Sequence, residues 1–164
     1  MTTKKFTLTA MFTALVCVAT LIYIPTVRGY INMGDAVLLL STFMLGPVSG
    51  AIAGGLGSCI ADIILGYSLY APATLIIKAL MGFSAGCIAK RSNSFPFTAI
   101  AAISAELIMA FGYFLFEAFI LDFGISVFFT SIPGNLVQGL FGIIISIVLF
   151  SVLKKNKYII RLTK

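Results

Sequence analysis

The sequence predicts an all-α polytopic membrane protein, a six-transmembrane-helix bundle with a short second helix and both termini in the cytoplasm. Three observations carry this. Hydrophobic residues make up 60% of the 164-residue chain and charged residues 10%, less than half the charged share of an ordinary soluble domain. The apolar residues form long blocks rather than a helical stripe or a strand alternation. The basic residues that give the net charge of +6 sit at block edges, which reads as a topology signal and not as a nucleic-acid footprint. One transmembrane domain over residues 1–164 is expected, with no repeat, linker or low-complexity tail.

The elements follow in order. Lys4-Lys5 precede an uncharged run over residues 6–27, longer than a signal-peptide core, so the first span (residues 6–24) is expected to be uncleaved. It stops at Pro25, and a polar stretch, PTVRGYINMG, follows. Residues 36–45 form a short apolar run closed by Gly46-Pro47, and a second run continues over 48–65. A turn, GYSLY, leads to Pro72 in the first turn of a helix reaching Ala89. After the KRSNS loop, Pro96 opens the fifth span, ending near Leu121, and the sixth covers residues 131–153.

Charge decides one ambiguous step. Residues 36–61 are uncharged but too few for two full spans of about 20 residues each. A break at Gly46-Pro47 gives six crossings. Lys4, Lys5, Lys90, Arg91, Lys154, Lys155, Lys157, Arg161 and Lys164 then share one side, which is nearly all of the 11 basic residues. A single helix gives five crossings and splits them, so the positive-inside rule favours six. The second helix must then be short, about 16 Å if it starts at Asp35, unless it begins back near Tyr30. Its ends must be buried in protein or line a wet cavity.

Absences narrow the chemistry. There is no histidine, and Cys17, Cys59 and Cys87 are scattered without a CxxC spacing, so neither a metal site nor a thiol redox motif is expected. No cofactor is expected. No GxxxxGK[ST] motif is present, so ATP cannot be bound through a P-loop. With no metal cluster and no nucleophile–base pair, an enzyme is disfavoured.

All five acidic residues and Lys78 lie in or beside the hydrophobic frame. An ionisable group at mid-membrane costs about 2.5–3.5 kcal/mol on insertion scales, which makes these residues functional candidates. Asp35, Asp62, Lys78 and Glu117 fall near the outer ends of their spans. Asn135 and Gln138 lie in the outer third of the sixth span, on one face. Tyr67, Tyr70 and Tyr113 sit at similar depth, under the loop carrying Arg28, Tyr30 and Asn32. The outer half is therefore polar and aromatic, and the inner half is nearly featureless apart from Glu106. That asymmetry suggests a pocket open to the outside rather than a pore. Asp62 and Lys78, on successive antiparallel helices, read either as a structural ion pair or as a pair that also touches ligand. Glu117 reads as a pocket residue or as a snorkelling one, Asn135 and Gln138 as ligand groups or interhelical glue, and Glu106 as structural. Glycines at every fourth position, Gly46, Gly50 and Gly54 and then Gly82 and Gly86, read as close helix packing. A stripe of small residues on the first span, Thr7, Ala10, Ala14 and Cys17, fits either packing inside the bundle or a surface for another membrane protein.

At this point the chain resembles a family. Its six-span layout, the Ala10-x-x-x-Ala14 motif, the stretch INMGDAVLLLSTFMLGPVSGAIAGGLGSCIADIILGYSLYAPATLIIKALMG and the PGNLVQG segment are similar to the substrate-binding S components of energy-coupling factor (ECF) transporters, prokaryotic vitamin uptake systems. Within that family it looks closest to members for hydroxymethylpyrimidine or pyridoxine-type vitamins. The resemblance implies a multi-pass protein of the prokaryotic cell membrane. It implies a vitamin pocket roofed by the first loop, a transmembrane coupling protein docked on Ala10 and Ala14, and two cytoplasmic ATPases. The absence of tryptophan departs from thiamine-type members, which stack ligand on that residue. Tyrosines and the 15 phenylalanines can still stack a flat ring. The competing reading is a stand-alone secondary transporter that uses an intramembrane carboxylate as its proton site.

Overall fold

Thr2 starts the first helix: its Oγ1 accepts the Lys5 amide at 3.3 Å, which satisfies one of the orphan donors of a helix start. The computed structural model describes residues 1–26, 30–92 and 94–156. Helix α1 (Thr3–Leu21) buries a narrow face made of Thr9, Val16 and Thr20. Thr9 and Thr20 return their hydroxyls to the Lys5 and Val16 carbonyls, each at 2.8 Å, so these polar side chains are satisfied within the helix.

The polar stretch after α1 is not a plain loop. Strand β1 (Tyr23–Pro25) pairs antiparallel with β2 (Tyr30–Asn32), placing Ile24 opposite Ile31. Three-residue strands are too short to show an alternation in sequence, which is why the hairpin was not anticipated. Residues 157–164 and Asn93 lie outside the described residues, as does Arg28.

Helix α2 (Gly34–Leu45) has 12 residues, about 18 Å, so it is as short as the charge argument requires. It ends at Gly46, whose φ of +89° suits only glycine well. Pro47 then opens α3 (Pro47–Ile64) at the first helical position, where its missing N–H costs nothing. α2 touches α1, α3, α4 and α6, and Leu38 and Leu39 are fully buried.

Helices α3 and α4 (Ala71–Ala89) approach closely along their glycines. A Cβ on Gly82 would collide with the Gly50 backbone, and one on Gly86 with Pro47. This is the small-residue packing that the fourfold spacing predicts. Helix α5 (Phe95–Leu115) runs into a π-helical turn, Phe116–Ile120. A 3₁₀ turn, Ile125–Val127, leads into α6 (Phe128–Leu153), which starts about a turn earlier than the sequence suggests.

The interior is built from Val16, Leu38, Leu39, Met81, Ala101, Ala105 and Met109, all fully buried. The outward faces carry large apolar side chains on every long helix, such as Leu15, Ile76, Phe129 and Leu140. That distribution fits a lipid surround and not water. Five helices are long and apolar enough to cross a membrane, and α2 is the short sixth.

Side-chain contacts fix the two ends of the bundle. Phe43 at the end of α2 meets Phe150 near the end of α6, centroids 5.4 Å apart. Lys90 borders the same small cavity as Gly46 and Phe150. Thr20 packs on Gly34 beside the hairpin, so the start of α1 lies at the opposite, lysine-rich end. Lys4, Lys5, Lys90, Arg91, Lys154 and Lys155 thus share one end, and the hairpin, the α3–α4 turn and the 116–130 segment share the other.

Candidate functional site

The short α2 creates the site. Because α2 is only 12 residues long, its first turn starts inside the bundle, and a cavity opens above it under the hairpin. The cavity is open to solvent at its mouth. β2 supplies Tyr30 and Asn32, α3 supplies Asp62, and the α3–α4 turn supplies Tyr67. Lys78 comes from α4, Tyr113 from α5, Glu117 from the π turn, and Asn135 and Gln138 from α6. These candidates therefore line one space. Asp35 does not line it but lies just beneath, and Arg28 falls outside the described residues.

The floor is a closed polar network. Lys78 Nζ donates to Asp35 Oδ1, and Gln138 Nε2 donates to Asp35 Oδ2. Asp35 sits in the first turn of α2, where the helix dipole favours an anion. Gln138 Oε1 accepts from the Asn32 amide at 2.9 Å and from Asn32 Nδ2 at 3.2 Å. Asn32 Oδ1 in turn accepts the Gly34 amide at 2.8 Å. Lys78 Nζ also lies 3.0 Å from Met109 Sδ and 5.8 Å from the centre of the Tyr113 ring. Buried charges are tolerated when they are paired and additionally hydrogen-bonded, as here.

This corrects one sequence expectation. The depth argument paired Lys78 with Asp62, but the ion-pair partner is Asp35. Sequence position gives height along a helix and not direction around it. A short α2 also brings Asp35 down to the level of Lys78. Asp62 instead accepts from the Tyr30 hydroxyl. Burial, with the Asp62 carboxylate against it, holds the Tyr30 phenol far above its ordinary range, so it remains a donor.

The walls are aromatic. Tyr30, Tyr67, Tyr70 and Tyr113 line the space, and Tyr23 and Phe116 extend a chain of tilted and edge-on ring contacts through Tyr30, Tyr67 and Tyr70, with centroids 5.1–6.3 Å apart. Tyr70 Oη donates to Glu117 Oε1 at 3.2 Å, and the Thr74 and Tyr113 hydroxyls lie 2.9 Å apart. Glu117 is buried and so does not snorkel. The π turn adds a residue to one helical turn and shifts every later side chain around the axis. Glu106 lies one layer deeper beside Gly139 and Gly142, with both carboxylate oxygens buried and without a hydrogen-bond partner.

Sequence reasoning missed Ser58, Thr74 and Ser131, which also line the cavity. A signal was present. Each lies four residues before a candidate, Asp62, Lys78 and Asn135 respectively, and therefore on the same helical face. Asn135 Nδ2 donates to Ser131 Oγ at 3.2 Å. Among the described residues no three His, Cys, Asp or Glu side chains converge as a metal site.

On α1, Ala10 and Ala14 are exposed, as is Thr7, while Cys17 is partly covered. The small-residue stripe faces away from the bundle, since the packed face is Thr9, Val16 and Thr20.

A helical bundle with apolar outward faces and a polar, aromatic cavity at one end has the form of a membrane protein that takes up a small solute. The chain belongs to the family described as ECF-type riboflavin transporter, S component, whose match covers residues 1–155. It is therefore a multi-pass transporter component of the prokaryotic plasma membrane and not an enzyme. It is 34% identical over 133 residues to an "Uncharacterized protein in gap 3'region" of Pyrococcus woesei, covering 81% of this chain and 88% of that one. It is 28% identical over 157 residues to the "Thiamine precursor transporter HmpT" of Lactococcus lactis subsp. cremoris, strain MG1363, covering 93% and 89%. Its fold matches a solved structure described as "Structure and mechanism of the S component of a bacterial ECF transporter", with a TM-score of 0.78 and 23% identity over 93% of this chain and 96% of that one.

Proposed function

We propose that this chain is the substrate-binding subunit of an ATP-driven ECF importer. In this reading it captures a small aromatic vitamin or precursor, of hydroxymethylpyrimidine or pyridoxine type, from outside the cell. A transmembrane coupling protein and two cytoplasmic ATPases then drive delivery to the cytoplasm. The observation that carries the reading is the cavity itself: Tyr30, Tyr67, Tyr70 and Tyr113 around its walls for a flat ring, and a fixed ammonium, carboxylates and amides for its polar rim. The similarity to a thiamine precursor transporter supports a pyrimidine.

The family description favours a second ligand, riboflavin. Mass spectrometry of ligand retained by the gently purified protein separates the two. The expected result is a small pyrimidine or pyridine. Retained riboflavin, visible by its yellow colour, would replace the smaller ring. The secondary-transporter reading predicts instead uptake by the chain alone, without copurifying ATPases.

The basic end is assigned to the cytoplasm, because positive residues are retained on that side. On a cysteine-free background, a cysteine at Ser92, next to Lys90-Arg91, is expected to react only with reagent on the cytoplasmic side. One at Ser68, in the exposed α3–α4 turn, should react only from outside. External labelling at position 92 would overturn the orientation.

A further inference from the structure

Two carboxylates of the cavity share an unusual arrangement. Asp62 on α3 and Glu117 on the π turn stand on different walls, with α4 packed against both supporting helices. In each, one oxygen is held by a tyrosine hydroxyl: Tyr30 donates to Asp62 Oδ1, and Tyr70 to Glu117 Oε1. In each, the other oxygen, Asp62 Oδ2 or Glu117 Oε2, is buried without a close hydrogen-bond partner, the Thr74 hydroxyl being the group that stands beside Asp62. The two residues are 4% and 3% exposed. Among the described residues the cation that lines the cavity, Lys78, is bound to Asp35.

An ionised carboxylate is an acceptor only, with about four lone-pair sites. A buried acceptor left unmade is costly, and native interiors rarely leave one so. The tyrosine latches orient both groups, so that the remaining oxygens are the acceptors available to whatever fills the cavity.

We propose that the cavity selects a flat, uncharged or cationic ring bearing hydrogen-bond donors at two separate points of its rim, one for Asp62 and one for Glu117, and that it rejects anionic relatives such as phosphate esters. This rests on the reading of the cavity as a vitamin site. Donors on the ring can be amine, hydroxyl or protonated ring nitrogen. An added phosphate would face carboxylates on two walls, and like charges brought together at a desolvated site oppose binding strongly. The selected form would be the free alcohol or amine taken up from the medium, and a kinase-type phosphorylation would have to follow entry.

Titration calorimetry on the full-length purified chain tests this with five probes. These are hydroxymethylpyrimidine, pyridoxine, the phosphate ester of each, and 2,4,5-trimethylpyrimidine, which keeps the ring shape without donors. At least one of the two alcohols should bind, with its phosphate ester and the trimethyl ring roughly 100-fold weaker. Asp62→Asn and Glu117→Gln keep side-chain size and should each weaken the bound alcohol roughly tenfold. Thermal unfolding of each variant checks that the fold is retained. A phosphate ester that binds within about threefold of its alcohol, or amide variants that bind like the parent, would overturn the inference while leaving the vitamin-carrier reading intact. If neither alcohol binds, the small-ring reading fails, and riboflavin, neutral and rich in N–H and O–H donors, becomes the probe. An affinity weakened by both amides would then sustain the two-donor inference, and an unchanged one would end it.

Discussion

Replacing Ala10 and Ala14 together by tryptophan is expected to abolish ATP-driven uptake while leaving vitamin binding within about twofold of the parent. The two alanines are exposed on α1, on the side away from Thr9, Val16 and Thr20. Small residues four apart let another helix approach at backbone distance, and an indole ring forbids that approach. The cavity is untouched, because on α1 it reaches only Thr20, about 9 Å along the helix from Ala14. Uptake is measured in cells that co-express the coupling protein and ATPases, and binding is measured on the purified chain. Ile76→Trp, on the lipid face of α4, controls for the effect of an added ring in the bilayer and should transport normally. Normal uptake by the α1 double variant would remove Ala10 and Ala14 from the docking surface.

Much of this architecture was legible because membrane folding punishes polar backbone severely. The break at Gly46-Pro47 could be placed to the residue, since a proline cannot continue a helix and a glycine can turn the chain before it. The count of basic residues then required α2 to be short, and α2 is short. The pairing of β1 with β2 and the π turn Phe116–Ile120 were not legible. The first is too brief for a period, and the second has the composition of an ordinary apolar helix. At the site, depth alone collected Asp62, Lys78, Glu117, Asn135 and Gln138 into one layer, and all five line the cavity. Depth failed where azimuth mattered, and so it chose the wrong carboxylate for Lys78. The hydroxyl residues Ser58, Thr74 and Ser131 were passed over because such side chains are unremarkable in a membrane helix, where they can bond to their own backbone. Glu106 is as buried as the sequence suggests, and the described residues offer neither of its oxygens a partner.

The partner of Lys78 can be established by rescue. Lys78→Met alone should destabilise the protein by about 3–5 kcal/mol, because it leaves a buried carboxylate without its cation. Asp35 is the group left behind: it is 1% exposed, and apart from Lys78 its carboxylate has Gln138 as its hydrogen-bonding side chain. Adding Asp35→Asn removes the orphan charge and keeps an acceptor for Gln138, so most of the lost stability should return. Adding Asp62→Asn instead should return little, since Asp62 is held by Tyr30 and not by Lys78. Thermal midpoints of the purified variants in one detergent read the difference. Rescue by Asp62→Asn and not by Asp35→Asn would restore the pairing expected from depth alone. The rescued Asp35→Asn, Lys78→Met protein also separates structure from recognition. Lys78 borders the cavity, so the folded double variant should bind the vitamin roughly tenfold more weakly, about 1.4 kcal/mol. Unchanged affinity would make the pair a staple between α2 and α4, and would leave ligand contact to Asp62, Glu117 and the tyrosines that hold them.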